Sequence, residues 1–270
     1  MDLVIAIARM GVLPFGLTLL LVLLGTLGLG ALAGARVRER TEQQSQQISF
    51  AVNGMLGLLA FILGLTLVMS QGRYEEIRRT TFQEATAIGS AWQWTYSLDH
   101  PRAPIIAGLL EDYLAVRAAF VSAEAGNRDA ITLINLRTDA LQGEIWGHAV
   151  AIARERTDFV AVQLLTSLNG TFDVATELRW AFADAVLVEI FWLVMACSLL
   201  TIGGMGYQFG MIGLRRPVAV LALIAAQAAA TTVIFDLATP RLGSLRADVR
   251  PYEWTQQAFR GGVTIPPMAR

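Results

Sequence analysis

Residues 48–70, ISFAVNGMLGLLAFILGLTLVMS, carry no charged side chain, and residues 71–92, QGRYEEIRRTTFQEATAIGSAW, follow them with no proline to stop a helix. At about 1.5 Å rise per residue the apolar part alone crosses a hydrocarbon layer of about 30 Å. The spacing then continues as a helix in water: Glu75 and Glu76 stand four and three residues before Arg79, as paired charges on a solvated helix face do. One rod therefore passes from lipid into an aqueous domain. The fold class that follows is an all-α integral membrane protein.

Toward the N-terminus, a segment of residues 1–10 precedes a second uncharged stretch, residues 11–35, GVLPFGLTLLLVLLGTLGLGALAGA. Ala31-Leu32-Ala33 resembles a signal-peptide cleavage site, but the apolar run exceeds the ~7–15 residues of such a peptide, so this is the first transmembrane helix. Residues 48–70 are the second. Gly30 and Gly34 in the first, and Gly57, Ala60 and Gly64 in the second, form slim faces that permit close packing against another helix or around an axis. Toward the C-terminus, residues 184–212 form a third span, with Asp184 and Glu189 at its start and Gly203, Gly204, Gly206 and Gly210 near its end. The loop Gly213-Leu214-Arg215-Arg216-Pro217 is short enough to force an antiparallel hairpin into the fourth span, 217–237. Residues 238–270 read as a polar C-terminal tail.

Between the second and third spans, residues 71–183 form a helical soluble domain. His100-Pro101 closes the long helix. Ile106, Leu109, Leu110, Tyr113, Val116, Arg117 and Phe120 give the next helix, 104–122, its apolar stripe. After the polar break AEAGNRD comes a helix over about 130–155, with Leu133, Leu136, Leu141, Trp146, Ala149 and Ala153 expected on its buried side. Thr157 or Asp158 caps the last helix, which keeps Leu164, Leu168, Phe172 and Ala175 in register. No strand period is sustained anywhere in this domain.

Glu84 stands out. It falls close in angle to Ile77, Thr81, Ile88 and Ala91, so it points along the apolar face. A carboxylate there has to meet an Arg or backbone donors, or keep its proton. A structural ion pair between helices is the plain expectation, and a titrating carboxylate the sharper one.

Composition narrows the function classes. The 270 residues are 54% hydrophobic with a mean hydropathy of +0.51, and the net charge is −1, which offers no basic face for nucleic acid. All 21 cations are Arg. The single Cys197 excludes an internal disulfide, and the two histidines, His100 and His148, stand far apart with no Cys near them, which disfavours zinc. No phosphate loop, HExxH or nucleophile elbow is present, so neither an enzyme nor a cofactor is expected. Arg36, Arg38, Arg40, Arg215 and Arg216 lie in the two short loops. Arg9, Arg73, Arg78, Arg79, Arg179, Arg241, Arg246 and Arg250 lie near the spans on the other side. Positive charge is retained inside, which puts the helical domain and both termini in the cytoplasm.

The order of two spans, a helical domain and two further spans resembles the bacterial bestrophin-like family, a domain of unknown function related to bestrophin channels. The stretch GLLAFILGLTLVMSQGRYEEIRRTTFQEATAIGSAW is similar to its signature, through Arg73, Tyr74, Glu84, Ala85, Ala87, Ile88 and Gly89. LQGEIWGHAVAIAR and LTSLNGTFD are similar to its later helices, with Trp146, Asn169 and Asp173 at matching places, and DLATPRLGSLR to its closing motif, with Asp236, Pro240, Arg241 and Gly243. The resemblance spans residues 48–256. It implies a homo-oligomer, a pentamer in bestrophins proper, in the bacterial inner membrane, whose second helices surround an ion pore. Tyr74, Glu84, Gly89, Asp236, Pro240 and Arg241 become motif residues with structural roles. Candidate pore residues are Asn53, Leu56, Leu59 or Ala60, Leu63 and Thr66, with Arg73, Arg78 and Arg79 ringing the mouth to attract anions. The acidic calcium clasp of animal bestrophins has no counterpart here. The alternative is an accessory membrane subunit whose helical domain docks a partner protein.

Overall fold

The structure, a computed structural model, describes residues 11–37, 42–124, 126–156, 158–183, 187–212, 217–239, 241 and 245–264, the side chains of 42–45, 187–189, 212 and 217 apart. All its regular elements are helices: α1 (Val12–Ala35), α2 (Glu42–Tyr96), α3 (Ala103–Ser122), α4 (Arg128–Glu155), α5 (Phe159–Ala183), α6 (Leu187–Ile212), α7 (Pro217–Ala238) and α8 (Arg250–Gly261). Four of these, α1, α2, α6 and α7, are long and apolar enough to cross a membrane. Arg9, Arg38, Arg40, Thr157, Asp184, Arg215, Arg216, Pro240 and Gly243 lie outside the described residues, as does the side chain of Glu189. Two compact units form: the described residues of 11–74 with those of 187–245, and the described residues of 75–183 with 246–264.

The first unit is built on a glycine seam. A Cβ placed on Gly30 would lie 2.2 Å from the carbonyl oxygen of Gly203, and one on Gly34 2.1 Å from that of Tyr207. The relation is reciprocal, since a Cβ on Gly206 would lie 2.2 Å from Leu27 O and one on Gly210 2.1 Å from Ala31 O. Four glycines thus let the backbones of α1 and α6 touch, where dispersion and Cα–H···O contacts replace side-chain packing. Phe15, Leu19 and Leu23 of α1, Ile202 and Met205 of α6, and Ile224, Ala228 and Phe235 of α7 fill the rest of the core, which Val52 of α2 joins. Polar side chains stitch the helices together: Gln227 Nε2 donates to Ser198 Oγ at 3.1 Å, and Gln208 Nε2 donates to Ser49 Oγ. Cys197 is half-buried and free.

In the second unit, α2 from Glu75 onward packs with α3, α4, α5 and α8 around Ile88, Trp92, Ile106, Leu110, Leu141, Ile145, Leu164 and Leu168. Each such buried aliphatic side chain contributes about 1.5–3 kcal/mol. Helix α2 ends at Tyr96, four residues before His100, where Ser97 and Leu98 donate to the carbonyls three residues back and tighten the last turn. Asn127 caps α4 and Asp158 caps α5, accepting from the backbone N–H of Ala130 and Ala161 at 3.1 and 3.0 Å.

Three expectations change. Leu133 and Leu136, expected in the core, are 66% and 61% exposed, and Trp146, also expected there, is 38% exposed. Helix α4 instead buries Thr138, Leu141, Ile145, Ala149 and Ile152. It carries apolar residues on two sides, and contact with α3 and α5 selects the side. The stretch expected as a polar tail holds α8, whose Tyr252 and Phe259 are buried. Phe259 stacks on Trp92 at 4.6 Å between ring centroids, and Thr255 sits so close that a Cβ on Gly89 would meet its methyl at 3.3 Å. No ion pair joins Glu75 or Glu76 to Arg79 among the described residues.

Candidate functional site

The apolar turn-by-turn spacing of α2 carries Glu84 into the core of the second unit, where it is fully buried. Arg117 arrives from α3 on the same apolar stripe as Tyr113 and Phe120, and is 1% exposed. Its Nε donates to Glu84 Oε1 at 2.5 Å and its Nη2 lies 3.5 Å from Oε2, while Nη2 also reaches the carbonyl of Ala175 on α5 at 3.4 Å. The guanidinium lies over the Phe120 ring, 4.4 Å from its centroid. From α8 the Tyr252 hydroxyl donates to Glu84 Oε2. Beside this group Tyr113 accepts a hydrogen bond from Gln142 Nε2 of α4 at 2.9 Å.

The electrostatics are those of a closed charge pair. Burial works against the Arg117 cation, but the Glu84 carboxylate beside it outweighs this and holds the guanidinium above its usual range. Burial first, and the Glu84 charge second, push both Tyr113 and Tyr252 well above the ordinary phenol value. Both phenols therefore stay protonated and act as neutral groups around one ion pair. Every strong donor points inward, so the cluster clamps α2, α3, α5 and α8 together and holds no reacting group for a substrate. An ion pair was the plain expectation for Glu84. Tyr252 and Gln142 are partners that sequence reasoning missed. The signal for Tyr252 was its seven-residue spacing from Phe259 in an otherwise polar stretch.

The outward face of the apolar part of α2 is the second candidate. Val52, Leu59, Thr66 and Ser70 are buried within the first unit, with Leu56 and Leu63 half-buried beside them. Asn53, Gly57, Ala60 and Gly64 lie on the opposite side, exposed, and a Cβ on Gly54, Gly57 or Gly64 would meet nothing within 4 Å. Asn53 and Thr66 consequently do not share a face, and the Thr66 hydroxyl donates to Ile62 O at 2.7 Å. Arg78 and Arg79 are exposed, whereas Arg73 is half-buried and already engaged, as are the buried Asp236 and the half-buried Arg241. Tyr74 is half-buried.

The two histidines, far apart in the sequence, both contact Arg102. Arg102 donates its backbone N–H to His100 Nδ1 at 3.1 Å, and its Nη1 lies 3.3 Å from His148 Nδ1. His100 Nε2 completes the set 2.9 Å from Glu155 Oε2. No group of His, Cys, Asp and Glu suited to a metal occurs among the described residues. Compared with family models, with curated proteins and with solved structures, the chain matches none.

Proposed function

We propose that the chain is a multi-pass membrane protein that assembles into a bestrophin-like ion channel, with the outward face of the apolar part of α2 around the pore. The observation that carries this reading is the division of that helix. One side packs into its own unit, and the other presents Asn53, Gly57, Ala60 and Gly64 with no neighbour. Small side chains let several copies of a helix approach one axis closely. A narrow apolar constriction with a single amide gates by wetting and dewetting. Leu56, Leu63 and Thr66 then act as packing residues behind the pore lining.

The helical second unit is a soluble domain on the cytoplasmic side of a bacterial inner membrane, in keeping with the distribution of arginines. Exposed Arg78 and Arg79, repeated by symmetry, enrich anions at the pore mouth, since the Debye length of about 8 Å at physiological salt spans a narrow opening. The test is anion flux into liposomes with reversal potentials. Replacing Arg78 and Arg79 together with Gln lowers the preference for anions, and unchanged selectivity removes the ring from the mechanism.

A second reading, an accessory subunit whose helical domain docks a partner, is favoured by the exposure of Leu133, Leu136, Phe159 and Trp180 on the second unit. Stoichiometry separates the two. A closed ring of identical copies in mild detergent supports the channel, and a single copy travelling with another protein supports the docking subunit.

A further inference from the structure

Within the first unit a cavity of about 60 Å³ opens between α2, α6 and α7, with Thr66, Ser70, Thr231 and Thr239 among its walls and the rings of Phe191 and Phe235 facing them. Ser70 is fully buried, and its Oγ has no hydrogen-bond partner. An unsatisfied buried hydroxyl is costly, and native structures rarely leave one without a purpose. The three threonines have spent their protons on their own helices: Thr66 donates to Ile62 O at 2.7 Å, Thr231 to Gln227 O at 3.0 Å and Thr239 to Phe235 O at 2.9 Å. Lone pairs remain to accept, although Thr231 Oγ1 already takes a long bond from Gln227 Nε2 at 3.5 Å. The cavity therefore offers one free donor, a few acceptors and otherwise hydrocarbon.

Its size admits about two waters at about 30 Å³ each, and each buried water needs two to four polar partners. Water there would face Ile190, Phe191, Val194, Ile234 and Phe235 on most sides, whereas a group with one hydroxyl and an alkyl part matches both kinds of wall. We infer that the cavity is a binding site for the hydroxyl head and first carbons of an amphiphile. The ligand oxygen accepts from Ser70, its proton goes to a threonine oxygen, and its alkyl part lies against Phe191 and Phe235. A free short-chain alcohol and a lipid with an unesterified hydroxyl, such as a diacylglycerol, share this chemistry. The inference does not depend on a pore.

The experiment uses the full chain in detergent and a hexanol carrying a diazirine on its chain, with adducts mapped by mass spectrometry. Adducts concentrate on Phe191 and Phe235 relative to the outward-facing Leu193 and Val233, and unlabelled hexanol competes them away. Ser70→Ala lowers the yield at the two rings about 2–10-fold, the effect of one neutral hydrogen bond. A diazirine hexane without the hydroxyl labels both proteins alike. Equal labelling of cavity and outward-facing residues, or a Ser70→Ala protein labelled like the parent by the alcohol, overturns the inference. Repeating the labelling in phospholipid nanodiscs with and without diacylglycerol names the source: suppression by diacylglycerol assigns the lipid hydroxyl, and unaltered labelling assigns the free alcohol.

Discussion

Gly30→Ala puts one methyl group into the α1–α6 seam. The new Cβ would stand 2.2 Å from Gly203 O and 2.9 Å from Tyr207 N, where ordinary van der Waals contact begins near 3.4 Å. Both opposing atoms are backbone, so no side chain can rotate away, and the two helices have to part by about 1 Å. A gap of that order forfeits a quarter to a half of each dispersion contact it opens, and it acts along the whole seam because helices are stiff. Gly34, Gly206 and Gly210 lose their close approach in the same movement. The expected cost is about 2–3 kcal/mol. Helix propensity pulls the other way, favouring Ala over Gly by up to about 1 kcal/mol. The sign of the effect therefore separates the two causes. Gly25→Ala and Gly28→Ala, where a Cβ meets nothing within 4 Å, are the controls and come out neutral or slightly stabilising. Unfolding in mixed micelles by titration with a denaturing detergent measures all three variants. A Gly30→Ala protein as stable as Gly28→Ala would refute the seam.

The second unit supplies further tests. Glu84→Ala leaves Arg117 charged and buried without its partner and costs about 3–5 kcal/mol in chemical denaturation. The double variant Glu84→Leu with Arg117→Met loses less than that single change, and a double that is worse than Glu84→Ala would show that the pair itself stabilises. Tyr252→Phe removes a hydrogen bond to a carboxylate, at about 1.5–3 kcal/mol, and an unchanged midpoint would exclude Tyr252 from the clamp. The backbone N–H of Ala161, and then Arg156, hold the Asp158 carboxyl below its usual range. A depressed folded-state pKa gives stability that is present above the ordinary value of about 4 and lost as pH falls through the folded one. Asp158→Asn keeps a capping oxygen but removes the titration, so its melting temperature falls less steeply than the parent's below pH 4, and identical slopes would count against the cap.

Much of this architecture is legible in the sequence because apolar length is a local property. Residues 11–35 and 48–70 are recognisable as spans without knowledge of what they pack against. Glu84 is legible for the same kind of reason: a carboxylate on an apolar face has to be paired, and Arg117 stood on the neighbouring apolar stripe. Which arginine, and the third partner Tyr252, depend on how distant helices meet, and no spacing encodes that. Leu133 and Leu136 show the complementary failure, since α4 has two apolar sides and only α3 and α5 decide between them. Thr66 and Asn53 are both candidate pore residues by their place in the second span, yet at 3.6 residues per turn they fall on different faces.

Tyr252 reaches back 168 positions in the chain to Glu84. The order of synthesis turns that distance into time. At about 5–20 residues per second, the ribosome delivers the clamp's last member roughly 10–30 seconds after its carboxylate. Both α6 and α7 are made in the interval, so translation finishes two apolar helices before the domain that precedes them has its final contact. The nascent Glu84 and Arg117 wait partly wetted. A stop codon or a slow stretch between residues 184 and 250 would strand the second unit in that state, with every other helix of its core already made.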